Sequence, residues 1–144
     1  MSWSADRGSS GLLIRGGQQA TVGGQAVRDV STSTGLDMAV VPPQPTWSAV
    51  RMEVEVTARA TAPDAGFRLR YDAGPDVADT DGAGQAGVGQ WQSIPTKRWR
   101  TYTWNVDSAR LTGVFGVNLS LVSDSRSHAH YLVSQVRVHV QPAP

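Results

Sequence analysis

The chain has 144 residues, no cysteine, and a formal net charge of +1 from 13 basic and 12 acidic side chains. That length suits one domain, 1–144, with its own core, and the lack of cysteine excludes disulfides and thiolate metal sites. Balanced charge argues against a nucleic-acid partner. No apolar run approaches the ~18–20 residues that span a bilayer, which argues against a membrane partner.

Met1–Arg7 lacks the apolar centre of a signal peptide. Short strand candidates follow at Leu12–Arg15, Ala20–Val22, Ala26–Val30 and Leu36–Val41, with Gly16-Gly17 and Gly23-Gly24 as turns. Pro42-Pro43-Gln44-Pro45 then stops pairing, since proline has no N–H to donate. From Ala49 to Ala58 the period is two: Val50, Met52, Val54, Val56 and Ala58 share one face, and Arg51, Glu53, Glu55 and Thr57 the other. Such alternation is a strand with one face in a core and one in water. Thr61–Gly66 reads as a turn. Phe67, Leu69 and Tyr71, alternating with Arg68 and Arg70, read as the returning strand of a hairpin.

Asp72–Gly89 is rich in glycine and aspartate and poor in large apolar residues. It is expected to be a long exposed loop. A strand at Trp91–Ile94 precedes a longer one at Trp99–Val106. There, aromatic and β-branched residues on both parities predict a central strand covered on both sides, with Trp104, Tyr102 and Val106 facing the core. Asp107 can N-cap a single helical turn through Leu111. Val117, Leu119 and Leu121 alternate, and Tyr131–Val133 with Val136, Val138 and Val140 close the chain. No helical period persists anywhere. Eight to ten short strands at this spacing predict an all-β sandwich or barrel, and the expected fold is an antiparallel β-sandwich of the jelly-roll kind.

Three segments carry a family resemblance: Phe67-Arg68-Leu69-Arg70-Tyr71-Asp72, the run Trp99-Arg100-Thr101-Tyr102-Thr103-Trp104-Asn105-Val106 with Asp107–Leu111 behind it, and Tyr131-Leu132-Val133-Ser134-Gln135-Val136-Arg137-Val138. Together they resemble the jelly-roll carbohydrate-binding modules appended to bacterial glycoside hydrolases and lyases, over about Val50–Val140. The resemblance implies a β-sandwich, extracellular use and sugar binding. It carries no ligand residue over to this chain.

From the residues themselves, Trp47, Trp91 and Trp99 are candidates for stacking on sugar rings, because an indole face suits sugar C–H groups while polar neighbours bind the hydroxyls. The bland reading is that they cap the core. Arg68, Arg70 and Arg100 can fork onto hydroxyl pairs or uronate carboxylates, and with Arg51 they would make a basic stripe. Alternatively they form a solvated face with Glu53 and Glu55 as partners. Asp76, Asp79 and Asp81 sit where a structural Ca²⁺ could be held, although the spacing is not that of an EF-hand; a flexible acidic turn is the simpler reading. His128 and His130 share a strand face and, with Asp124 near in sequence, could pair on a metal. His139 looks isolated. No Gly-x-Ser-x-Gly elbow exists, and the only two glutamates, Glu53 and Glu55, share one strand face. An exposed face with arginines adjacent is not the setting that a general acid needs.

The sequence therefore points to a nonenzymatic module that binds polysaccharide or oligosaccharide, needs no cofactor, and works beside a parent catalytic domain. The alternative is a structural accessory sandwich that packs on that domain without a ligand of its own. Gln141-Pro142-Ala143-Pro144 looks like the start of a Pro-rich linker, so the expected setting is a longer secreted chain.

Overall fold

A computed structural model describes residues 2–32, 35–40, 49–73, 86–88, 91–106, 117–122 and 129–142. Every regular element among them is a strand: β1 (Ser2–Ser4), β2 (Gly8–Ser10), β3 (Leu12–Arg15), β4 (Gln18–Val22), β5 (Gln25–Ser31), β6 (Leu36–Val40), β7 (Ala49–Ala60), β8 (Gly66–Ala73), β9 (Ala86–Val88), β10 (Gln92–Ser93), β11 (Arg100–Val106), β12 (Val117–Val122) and β13 (His130–Pro142). They form two antiparallel sheets. In the seven-stranded sheet, β11, β7, β13, β1 and β2 lie side by side, and β5 with β4 also pairs along β13. The six-stranded sheet runs β10, β8, β12, β6, β3, with β9 also on β8. This is the expected β-sandwich.

The alternation on β7 resolves as read. Met52, Val54, Val56 and Ala58 are buried, while Glu53, Glu55 and Thr57 lie on the outer face. The two-residue Gly23-Gly24 turn has φ +59° and +80°, the positive angles that a tight β4–β5 hairpin requires and that glycine tolerates.

β7 and β8 do not form a hairpin. β7 pairs with β11 and β13, and β8 with β12, β9 and β10. Thr61–Ala65 is therefore an arch that carries the chain from one layer to the other, with Asp64 at φ 67°. Its ends are tied down: Thr61 N and Oγ1 both donate to His130 O, at 3.0 and 2.9 Å, and Ile94 N donates to Ala65 O at 3.0 Å. An apolar face can meet a partner across layers as well as in one sheet, and here the two apolar faces look at each other. β11, expected at the centre of a sheet, lies at the end of one, with Thr101, Thr103 and Asn105 exposed. The stretch 72–89 is not all loop, since β8 continues to Ala73 and β9 pairs back onto it. The turn proposed at 107–111 lies outside the described residues.

β13 needs a bulge. Tyr131 and Val133 face inward on one parity and Val136 and Val138 on the other. The register against β7 shifts between Val133 and Gln135, which leaves Ser134 as the extra residue. One inserted residue restores inward facing on both sides of it. There β13 also exchanges β5 for β1 as its second neighbour, and Ala5 N donates to Ser134 O at 3.0 Å.

Phe67 sits at the centre of the interior. Its ring meets Tyr102, Trp104 and Tyr131 edge-on, at centroid distances of 5.0, 5.3 and 5.2 Å. Phe67 belongs to one sheet and its three partners to the other, so this cluster joins the layers. Tyr102 Oη donates to Ser93 O at 2.7 Å. The Tyr131 hydroxyl is buried and has no hydrogen-bond partner among the described residues.

Burial raises the Tyr131 hydroxyl well above its ordinary pKa of 10.0, and it raises Tyr102 too, against the opposing charges of Arg100 and Arg98. The fold thus favours neutral tyrosine. The associated stability is complete below about pH 10, where unfolded tyrosine titrates, and is lost as pH rises above it. Tyr131→Phe removes a buried unpaired hydroxyl and is expected to raise the unfolding free energy by about 1–3 kcal/mol in urea titrations at neutral pH. The same variant should weaken the alkaline loss. A destabilised variant would contradict the description of this hydroxyl.

Candidate functional site: an indole and a guanidinium on the six-stranded sheet

On β8 the alternation that buries Phe67 and Leu69 turns Arg68 outward into solvent. β10 runs antiparallel beside it, with Gln92 opposite Phe67 and Ser93 opposite Gly66. That register brings Trp91, one residue before β10, beside Arg68. The Arg68 Cζ lies 5.5 Å from the Trp91 ring centroid, a cation–π arrangement.

Gly66 makes the seat. A Cβ there would fall 2.6 Å from Trp91 Cε2 and 2.8 Å from the carbonyl oxygen of Gln92. Only a residue without a side chain lets the indole lie on the β8 backbone. The ring remains 36% exposed, which sets it apart from Trp3 and Trp104, both buried in the core. Arg70 lies two residues beyond Arg68 on β8, in register with Val88 on one side and Ser120 on the other. Ser120 is in turn opposite Asp37, and Asp37 opposite Arg15. The outer face of this sheet thus offers the Trp91 ring with Arg68 beside it, and the register aligns Arg70, Ser120, Asp37 and Arg15 in one row across the strands. An apolar ring beside a guanidinium is a composition suited to a sugar.

The other candidates lie elsewhere. Trp99 is half-buried beside the seven-stranded sheet, with the Arg59 Cζ 5.5 Å from its ring centroid; Arg59 Nε is buried and has no hydrogen-bond partner among the described residues. Arg100 is exposed at the first position of β11, its Cζ 5.3 Å from the Tyr102 centroid. Trp47, Asp76, Asp79, Asp81, His128 and Asp124 lie outside the described residues. The stripe of Arg51 with Arg68, Arg70 and Arg100 is not assembled, because Arg51 belongs to β7 in one sheet and Arg68 and Arg70 to β8 in the other. For the same reason Glu53 and Glu55 cannot partner Arg68. His130 is engaged instead with Asp29, Nδ1 to Oδ1 at 2.8 Å.

His139 is not isolated. It lies opposite Glu53 in the β7–β13 register, and its Nε2 is 3.4 Å from Glu55 Oε2. One donor atom from each of Glu53, Glu55 and His139 lies within 4.8 Å of the others. Sequence reasoning missed both this triplet and the Gly66 seat, since each depends on the pairing of strands.

No protein-family model matches the chain, and neither does any curated protein sequence. Solved structures do resemble it. The CBM22-1 xylan-binding domain of Paenibacillus barcinonensis Xyn10C is 17% identical at a TM-score of 0.60, covering 100% of this chain and 95% of that one. The CBM22-2 xylan-binding domain of the same protein is 10% identical at a TM-score of 0.61, covering 98% and 99%. The C-terminal CBM6 of LamC, a laminarinase of the marine Zobellia galactanivorans, is 16% identical at a TM-score of 0.54, covering 96% and 97%. The fold of this chain is the β-sandwich of carbohydrate-binding modules.

Proposed function

We propose that this chain is a noncatalytic carbohydrate-binding module of a secreted polysaccharide-degrading enzyme, and that the Trp91–Arg68 surface receives the glycan. The observation that carries this reading is the exposed indole held on the bare backbone of Gly66 with a guanidinium beside it. A core tryptophan needs no such exposure, and a glycine with no room for a methyl group keeps the ring in one place. In this reading the indole takes the C–H face of a pyranose, and Arg68 takes a hydroxyl pair or a uronate carboxylate.

A purely structural accessory role would call for a broad apolar surface to pack on a catalytic domain. Among the described residues the large exposed apolar side chains are Leu13, Val22 and Trp91, on or beside three different strands. That scatter favours ligand binding over docking.

Affinity electrophoresis through gels containing xylan, laminarin or a uronate-bearing polymer tests the reading. The protein should be retarded by at least one of these and should release no reducing sugar from any. Unretarded migration across the panel would count against it.

A further inference from the structure

We propose that Glu53, Glu55 and His139 form a binding site for a divalent transition-metal ion of the zinc class, on the outer face of the seven-stranded sheet. The site lies on the layer opposite Trp91 and does not depend on the glycan reading.

Glu53 and Glu55 are successive outward positions of β7, and His139 is an outward position of β13 directly across from Glu53. The pairing of two neighbouring strands therefore brings two carboxylates and an imidazole to one patch. Their donor atoms lie within 4.8 Å of one another. Ligands bound tetrahedrally to zinc stand about 3.3 Å apart, so a closure of no more than about 1.5 Å, within the reach of side-chain rotation, completes the geometry. Asn105, exposed on β11, is opposite Glu53 on its other side.

The surrounding charges leave room for a cation. Arg137 is opposite Glu55 in register and would be its natural partner. Its guanidinium turns instead to the end of the Gln135 amide, 2.7 Å from Nε and 3.1 Å from Nη2, and the amide orientation that satisfies both groups places its oxygen there as the acceptor. Among the side chains that the structure describes, a set that leaves out Arg51, the group that pairs with Glu55 is His139, and no arginine or lysine of that set forms an ion pair with Glu53 or Glu55. Two like charges on adjacent same-face positions repel, and a bound cation removes that repulsion. The imidazole donor selects the ion: nitrogen beside carboxylate suits zinc-class ions, whereas Ca²⁺ and Mg²⁺ seek oxygen alone.

Isothermal titration of the purified protein with ZnCl₂ tests the site. One ion should bind with micromolar affinity, and CaCl₂ at the same concentration should give no such isotherm. His139→Ala and the double variant Glu53→Gln/Glu55→Gln should each weaken zinc binding by about tenfold or more, since each removes ligands from a three-residue set. Circular dichroism should be unchanged, because all three residues lie outside the core. His130→Ala, whose imidazole belongs to Asp29, should bind as the wild type does. Three results would each overturn the proposal: no zinc binding below millimolar concentration, undiminished affinity in His139→Ala, or affinity lost through His130→Ala.

Discussion

Phe67→Ala should lower the free energy of unfolding by about 3–5 kcal/mol, the cost of truncating a buried aromatic whose surroundings relax only in part. Single domains are stable by roughly 5–15 kcal/mol, so this one change would remove a large share of the total. The expectation is specific to position 67. Its ring contacts Tyr102, Trp104 and Tyr131 across the layer boundary, and each edge-on pair contributes about 0.5–1.5 kcal/mol beyond simple burial. β7 and β8 belong to different sheets and do not pair with each other, so side-chain packing carries the contact between their inner faces. Phe67→Leu keeps most of the volume and should cost clearly less. Urea unfolding followed by tryptophan fluorescence and circular dichroism checks both. A Phe67→Ala protein within about 1 kcal/mol of wild type, the size of an ordinary surface change, would mean that the layers are joined elsewhere.

Trp91→Ala should abolish most glycan retention while leaving the fold intact. An aromatic anchor at the centre of a recognition surface typically carries 2 kcal/mol or more, about thirtyfold in affinity. Removing it should leave unfolding nearly unchanged, since the ring is partly exposed and the core cluster does not include it. Gly66→Ala approaches the same site from beneath. The added methyl group meets the indole and the Gln92 carbonyl, so the ring must lift or the strand must shift. Its glycan affinity should fall as in Trp91→Ala although every proposed contact residue is still present. Trp99→Ala should bind glycan as the wild type does, because that ring stands against Arg59 on the other layer. Equal losses in the Trp91 and Trp99 variants would point to general destabilisation, and unfolding curves on the same samples would reveal it.

The sequence made legible whatever rests on one strand alone. The inward set of β7, the core placement of Trp104 and the Gly23-Gly24 turn all follow from local periodicity and backbone freedom. The β13 bulge was also within reach, because Tyr131 and Val133 stand on one parity and Val136 and Val138 on the other, and a strand cannot bury both sets without an inserted residue. What depends on pairing was not legible. A turn rich in Pro, Asp and Gly serves a hairpin and an arch equally well, so β7 and β8 looked like neighbours in one sheet. Thr101 and Thr103 favour extended backbone whether or not a layer covers them, and here they are exposed, with the Thr101 and Thr57 hydroxyls 3.0 Å apart.

The site followed the same division. Trp91 and Arg68 were each singled out, but their contact requires the β10–β8 register. Gly66 passed for a turn residue, since nothing local distinguishes a glycine that frees the backbone from one that seats a ring. His139 is solitary in the sequence because its carboxylate neighbours come from a distant strand, and arginines that parity places on one polar face are divided between two sheets.

Trp91, among five tryptophans, is the residue proposed to meet the polysaccharide. Proton–nitrogen correlation spectra resolve the indole N–H of each tryptophan, and titration with the glycan that retards the protein follows them individually. The Trp91 resonance, assigned by its loss in Trp91→Ala, should move saturably while those of Trp3 and Trp104 stay in place. A saturable response confined to other tryptophans, with Trp91 unmoved, would contradict the proposal.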